Sequence, residues 1–239
     1  MTFDLLSAIA LSASATVVVA TFIALFGSSL TNRIAIGVAM ALWFIAVLGL
    51  GTSGNIGTPL LGALVLIPVV VLSIVGFGSS VRRGRLQSTP LPALIALNVF
   101  RILGVLFVLL YVAKRLPAPF APIAGWGDIA AGAAALPIAL WVARQPDTAR
   151  RAVLVWNSFG LADLVTAITL GALSAPGPGR VFFDNPGSGL MTSVPWILIP
   201  CFLVPSLMFV HLVVFYRTLR APTAEGRNAV IATGATLRG

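Results

Sequence analysis

Seven stretches of this chain are apolar over the length that crosses a bilayer, and the segments between them are short. A membrane-crossing helix needs about 20 apolar residues, with a range near 17–25. The stretches are 5–27, 34–50, 60–79, 91–113, 129–143, 152–173 and 194–215. The fifth is short and could begin earlier, near Ile123. Hydrophobic residues make up 59% of the 239 and charged residues only 9%, where a soluble domain carries about 25% charged. So much apolar surface has no interior large enough to hide in, but hydrocarbon solvates it directly. The expected fold is all-α: a polytopic integral membrane protein with a seven-transmembrane-helix bundle over 1–217 and a short, disordered cytoplasmic tail over 218–239.

The arginines alternate from loop to loop. One set of connections carries Arg33, Arg82, Arg83, Arg85, Arg144, Arg150, Arg151, Arg217, Arg220, Arg227 and Arg238; the other carries Lys114, Arg115 and Arg180. Basic loops stay in the cytoplasm. The N-terminus is therefore expected outside and the C-terminus inside, which requires an odd number of spans. The start, Met1 to Asp4, lacks the basic region of a secretory signal. An arginine-rich, alanine-, glycine- and proline-rich composition suggests a bacterial source, and with it the cytoplasmic (inner) membrane. The net charge of +9 does not indicate nucleic-acid binding, because the basic residues are spread over short loops instead of gathered on one face.

Five polar side chains inside the apolar stretches are costly in lipid: Asn98, Arg101, Asn157, Asp163 and His211. Intramembrane ionisable groups face a bundle interior and commonly mark a site. At roughly 1.5 Å per residue, Arg101 lies about 15 Å and Asp163 about 16 Å from the arginine-rich end. Their matched depth and opposite sign predict a pair. Asn98 lies three residues before Arg101 and shares its face, with Gly104 continuing the stripe. Trp156, Gly160 and Asp163 share a face of the sixth stretch, and Asn157 borders it. The expectation is a cavity between spans four, six and seven, lined by Asn98, Arg101, Asn157 and His211 with Trp156 as an apolar wall.

Gly125-Trp126-Gly127-Asp128 reads as a turn, an interfacial aromatic and an N-cap; functionally, Trp126 and Asp128 would stand at an outer vestibule. Asp147 similarly reads as the cap of the sixth helix. Ser7, Ser14, Thr21 and Ser28 recur every seven residues and predict a packing seam. Pro195, Pro200 and Pro205 predict a bent seventh helix.

Seven spans with an outside N-terminus resemble microbial rhodopsins in topology, but retinal needs a lysine in the last helix and the one lysine is Lys114. The count also resembles the three-plus-one-plus-three sugar transporters called SWEETs; their Pro-Gln pairs are absent, and Gln145-Pro146 is reversed. One histidine excludes bis-histidine haem, one cysteine, Cys201, excludes a disulfide within the chain, and the spans hold too few ligands for zinc or di-iron. No cofactor and no metal site are expected, nor is any catalytic residue identified; enzymatic activity is not indicated. Two functions fit: binding or transport of a small polar or anionic solute or protons, or a non-catalytic subunit or assembly partner of a larger membrane complex, with the polar residues structural. The bilayer is the expected partner in both, with a small-molecule ligand in the first and a membrane protein or a second copy in the second.

Overall fold

The computed structural model describes residues 2–54 and 56–220. All regular structure among them is helical, and seven helices are long and apolar enough to cross a membrane. They are α1 (Thr2–Phe26), α2 (Leu30–Ser53), α3 (Thr58–Phe77), a fourth span Leu91–Val112, α7 (Phe120–Arg144), α8 (Pro146–Leu173) and a seventh span Ile199–Arg220. The fourth span is composite: α5 (Leu91–Ala96), a 3-10 stretch (Leu97–Gly104) and α6 (Val105–Val112). The seventh begins as a π-turn (Ile199–Leu203) and continues as α9 (Val204–Arg220). A short basic helix, α4 (Ser80–Ser88), joins α3 to the fourth span.

The hub is the seventh span. Every residue from Val204 to His211 is buried. On one side Phe202 packs against Trp43 and Phe44 of α2, and Phe209 against Phe22 and Phe26 of α1 and Phe77 of α3. The other side carries His211 toward the fourth span and α8. Pro205 lacks an N–H and would leave the carbonyl of Cys201 without its partner in a regular α-helix. The π-turn just before it widens the register, with the Val204 N–H donating to the Ile199 carbonyl.

Ile34, Val38, Leu42 and Ile45 on α2, and Ile67, Val70, Val71 and Ile74 on α3, are exposed. In water such faces would associate; they fit helices long and apolar enough to cross a membrane. On α1 the seam forms at Ser7 and Ser14, which are buried and donate back to the Phe3 and Ala10 carbonyls at 2.8 Å. Thr21 is half-buried, and Ser28 is exposed beyond the helix end.

Several boundaries differ from the sequence reading. The fifth span starts at Phe120, not at 129. Pro122 sits in its first turn, where the N–H groups lack intrahelical partners and a proline costs little. The Gly125–Asp128 segment is therefore helix interior, not a turn. The sixth span starts at Pro146; Asp147 lies in its first turn, and Gln145 takes the cap position. The seventh starts at Ile199, with residues 194–197 in turn conformation and Trp196 and Ile197 buried. Helix runs on to Arg220, and the expected disordered tail from 221 lies outside the described residues.

Candidate functional site

The fourth span buries every third residue over its length: Ile95, Asn98, Arg101, Gly104, Phe107 and Leu110. A spacing of three drifts around an α-helix but stays on one line in a 3-10 helix. Leu97–Gly104 adopts that tighter winding, so Asn98, Arg101 and Gly104 stack on the face that meets α7. Opposite them α7 presents small residues, including Ala124, Gly125, Ala131, Gly132 and Ala135, all buried. Small residues let helices approach closely in lipid, and here backbones meet. A Cβ on Gly132 would stand 2.6 Å from the Ile102 backbone nitrogen; one on Gly104 would stand 2.6 Å from the Gly125 carbonyl oxygen.

Arg101 is the centre of what this approach encloses. Its Nε donates to Asp128 Oδ1 at 2.7 Å and its Nη2 to Asp163 Oδ2 at 2.5 Å. Its Nη1 donates to the Gly160 carbonyl at 2.9 Å and to His211 Nε2 at 3.1 Å. One guanidinium thus joins the fourth span, α7, α8 and α9. Arg101 is 3% exposed, both carboxyl residues 8% and His211 0%, so these are interior contacts, and charge-assisted hydrogen bonds of this kind are the strong ones.

Asn157 fixes the imidazole. Its Nδ2 donates to the His211 carbonyl at 3.0 Å, which turns Oδ1 toward His211 Nδ1 at 2.7 Å. Amide oxygen only accepts, so Nδ1 carries a hydrogen. The guanidinium only donates, so Nε2 presents its lone pair. The hydrogen bonds on both sides therefore select one tautomer of a neutral ring. Trp156 lies against that ring, with centroids 5.4 Å apart, and its Nε1 donates to the Ala131 carbonyl at 2.9 Å.

Two glycines make room for the side chains. A Cβ on Gly160 would stand 2.6 Å from His211 Cε1 and 2.8 Å from Arg101 Nη1, and one on Gly127 would collide with the Asp163 carboxylate. The guanidinium occupies the place where a cation would sit between the two carboxyls. Among the described residues no group of three His, Cys, Asp or Glu side chains could hold a metal ion.

The expected residues are not all in one place. Arg101, Asn157, Asp163 and His211 meet, with Trp156 beside them. Asn98 is fully buried one 3-10 turn away, where its Nδ2 donates to the Leu94 carbonyl at 3.2 Å and its Oδ1 has no partner. Trp126 is 62% exposed on the outside of α7. Asp128 is not an N-cap: it lies two turns inside α7, ion-paired with Arg101. The small-residue stripe of α7 is the signal that locates it, because Asp128 falls between Ala124 and Ala131 on that stripe. The Gly160 carbonyl is a backbone contribution that no residue type announces.

A cavity of about 60 Å³ opens elsewhere, between α3, α8 and the start of the seventh span. Leu61, Val65, Phe107, Phe120, Ile168 and Val204 are among its walls, which are apolar and include none of the expected site residues. Between spans four, six and seven, where a polar cavity is expected, stands the hydrogen-bonded cluster.

No curated protein and no solved structure matches the chain. Residues 58–219 match the model of a family described as "Domain of unknown function (DUF8737)". The match begins at α3, ends with α9, and contains every residue of the cluster. Since it covers more than half of the sequence, the chain belongs to that family.

Proposed function

We propose that this is a proton-binding membrane protein, in which Arg101, Asp128, Asp163 and His211 hold one exchangeable proton within the bilayer. The observation that supports this most is the charge count of the cluster: one guanidinium is bonded to two carboxyls, each from a different helix, and the imidazole beside it is neutral by its hydrogen bonds. With both carboxyls ionised the cluster carries one uncompensated negative charge. A charge near the membrane centre costs about 2.5–3.5 kcal/mol on insertion scales. One proton on either carboxyl removes it and leaves a neutral set. An anionic solute is a poor fit, because four Arg101 donor contacts already end on protein atoms.

The arginine-rich ends of the spans support a cytoplasmic-membrane location with the N-terminus outside. Infrared spectra of the protein in vesicles, recorded in water and after transfer to heavy water, test proton exchange. The wild type should show a protonated-carboxyl band that shifts on deuteration and that Asp128→Asn/Asp163→Asn lacks. No such band in the wild type, or one that never shifts, would remove the reading of an exchangeable proton.

A second reading rests on the four bonds that Arg101 makes to protein atoms. A guanidinium bonded to three other helices is also what a fixed clamp requires, and buried polar groups can set helix register without further function. In that case the exposed apolar faces of α2 and α3 would serve a membrane protein partner or a second copy. The deuteration comparison separates the two, since a sealed clamp shows no exchanging carboxyl proton.

A further inference from the structure

The buried polar atoms that lack partners are not spread evenly. Among the described residues five side-chain atoms are buried without a hydrogen bond: Ser73 Oγ, Asn98 Oδ1, Ser174 Oγ, Arg217 Nη1 and Thr218 Oγ1. Ser73 lies near the end of α3 that leads into the basic helix α4, and Arg217 and Thr218 lie in the last turn of α9. Asn98 lies between Arg101 and that same arginine-rich end. Ser174 alone belongs to the opposite end, just past α8.

Buried polar atoms are almost always bonded, to protein or to ordered water, and leaving one bare costs about 1–3 kcal/mol. The register places Asn98 and Thr218 below the cluster, and Arg217 precedes Thr218 in the last turn of α9. Asn98 is one 3-10 turn from Arg101, about 6 Å along the axis at roughly 2.0 Å per residue. Thr218 is seven residues from His211 on the same face of α9, about 10 Å along the axis. Both displacements run toward the arginine-rich end. An amide oxygen, a hydroxyl and a guanidinium nitrogen offer both donors and acceptors, which is what a bound water requires.

The other side of the cluster has the opposite chemistry. Phe107 and Leu110 continue the stripe of the fourth span there, and the cavity that Phe107 lines has mostly apolar walls, with Ser188 the one hydroxyl. Apolar cavities stay dry.

We infer that the cluster exchanges its proton with the arginine-rich end only, through a file of water molecules held by Asn98, Arg217 and Thr218. This rests on the proton-binding reading for its purpose, but the file itself is tested separately. Cys201 is the one native cysteine and is buried, so a Cys201→Ser background gives a clean thiol assay. Val214 is buried on α9 between His211 and Thr218; Asn98→Cys, Val214→Cys and Thr218→Cys place a thiol along the file, and Leu110→Cys places one beyond the cluster. A small water-soluble methanethiosulfonate is applied to either face of oriented vesicles. The three thiols on the file should react from the arginine-rich face and lose that reaction from the other, while Leu110→Cys reacts from neither. Should Asn98→Cys fail to fold, Val214→Cys, a near-isosteric change, carries the same test. No reaction at Val214→Cys and Thr218→Cys, or equal reaction from both faces, overturns the file. One-sided reaction in a protein whose carboxyls show no protonation keeps the file and removes the proton reading; protonated carboxyls without reaction do the reverse.

Discussion

Arg101 is the residue on which the interior depends, because its removal strands two carboxyls at once. Breaking a buried ion pair by deleting one partner costs about 3–5 kcal/mol, whereas replacing all its members by neutral groups is often close to neutral. Arg101→Ala should therefore destabilise the protein by about 3–5 kcal/mol in thermal or denaturant unfolding. Arg101→Met combined with Asp128→Asn and Asp163→Asn should recover most of that loss. A triple variant no more stable than the single one would show that the packing, not the charge, matters there. Gly160 makes the complementary point about space. A Cβ there meets His211 and Arg101 Nη1, so Gly160→Ala should cost about 1–3 kcal/mol by overpacking. Gly49→Ala, inside α2 with nothing within 4 Å of the added carbon, should not destabilise the protein. At this scale the sequence was informative where chemistry is explicit. Opposite charges at equal depth pointed to Arg101 and Asp163. Asp128 was misplaced because an acidic residue after Gly-Trp-Gly looks like a cap, and its burial depends on a helix start that three nearby prolines disguise.

At the scale of elements, apolar length identified all seven spans, since the length of a bilayer-crossing helix is set from outside the protein. Departures from regular helix were less legible. The 3-10 winding of Leu97–Gly104 follows from the need to keep Asn98, Arg101 and Gly104 on one line against α7, which is a tertiary demand. The π-turn at Ile199–Leu203 was anticipated only as a bend at Pro200 and Pro205. What it achieves is to aim Phe202 and Phe209 at the first three spans while His211 faces the others. Phe209 touches Phe22, Phe26 and Phe77. Phe209→Ala should cost about 3–5 kcal/mol, as large aromatic truncations in packed cores do. It should also raise protease cleavage in the connections of α1 and α3 before those of α7 and α8. Uniform cleavage throughout would mean that the bundle does not divide along the seventh span.

For the whole molecule, the family match from 58 to 219 contains every element that builds the cluster, while α1 and α2 pack on the hub from outside the match. The arginine asymmetry across the bundle gives the orientation prediction: reporter fusions at the two termini should report opposite faces, with the C-terminal one cytoplasmic. Both fusions on one face would contradict seven crossings. The central claim is that the cluster holds one proton between two carboxyls. The chain contains six acidic residues in all, and infrared spectroscopy sees the carbonyl stretch of a protonated carboxyl apart from that of a carboxylate. At neutral pH the wild type should show one protonated-carboxyl band that is absent from Asp128→Asn/Asp163→Asn. A spectrum with no such band in the folded wild type, or a band that survives in the double variant, would contradict the account.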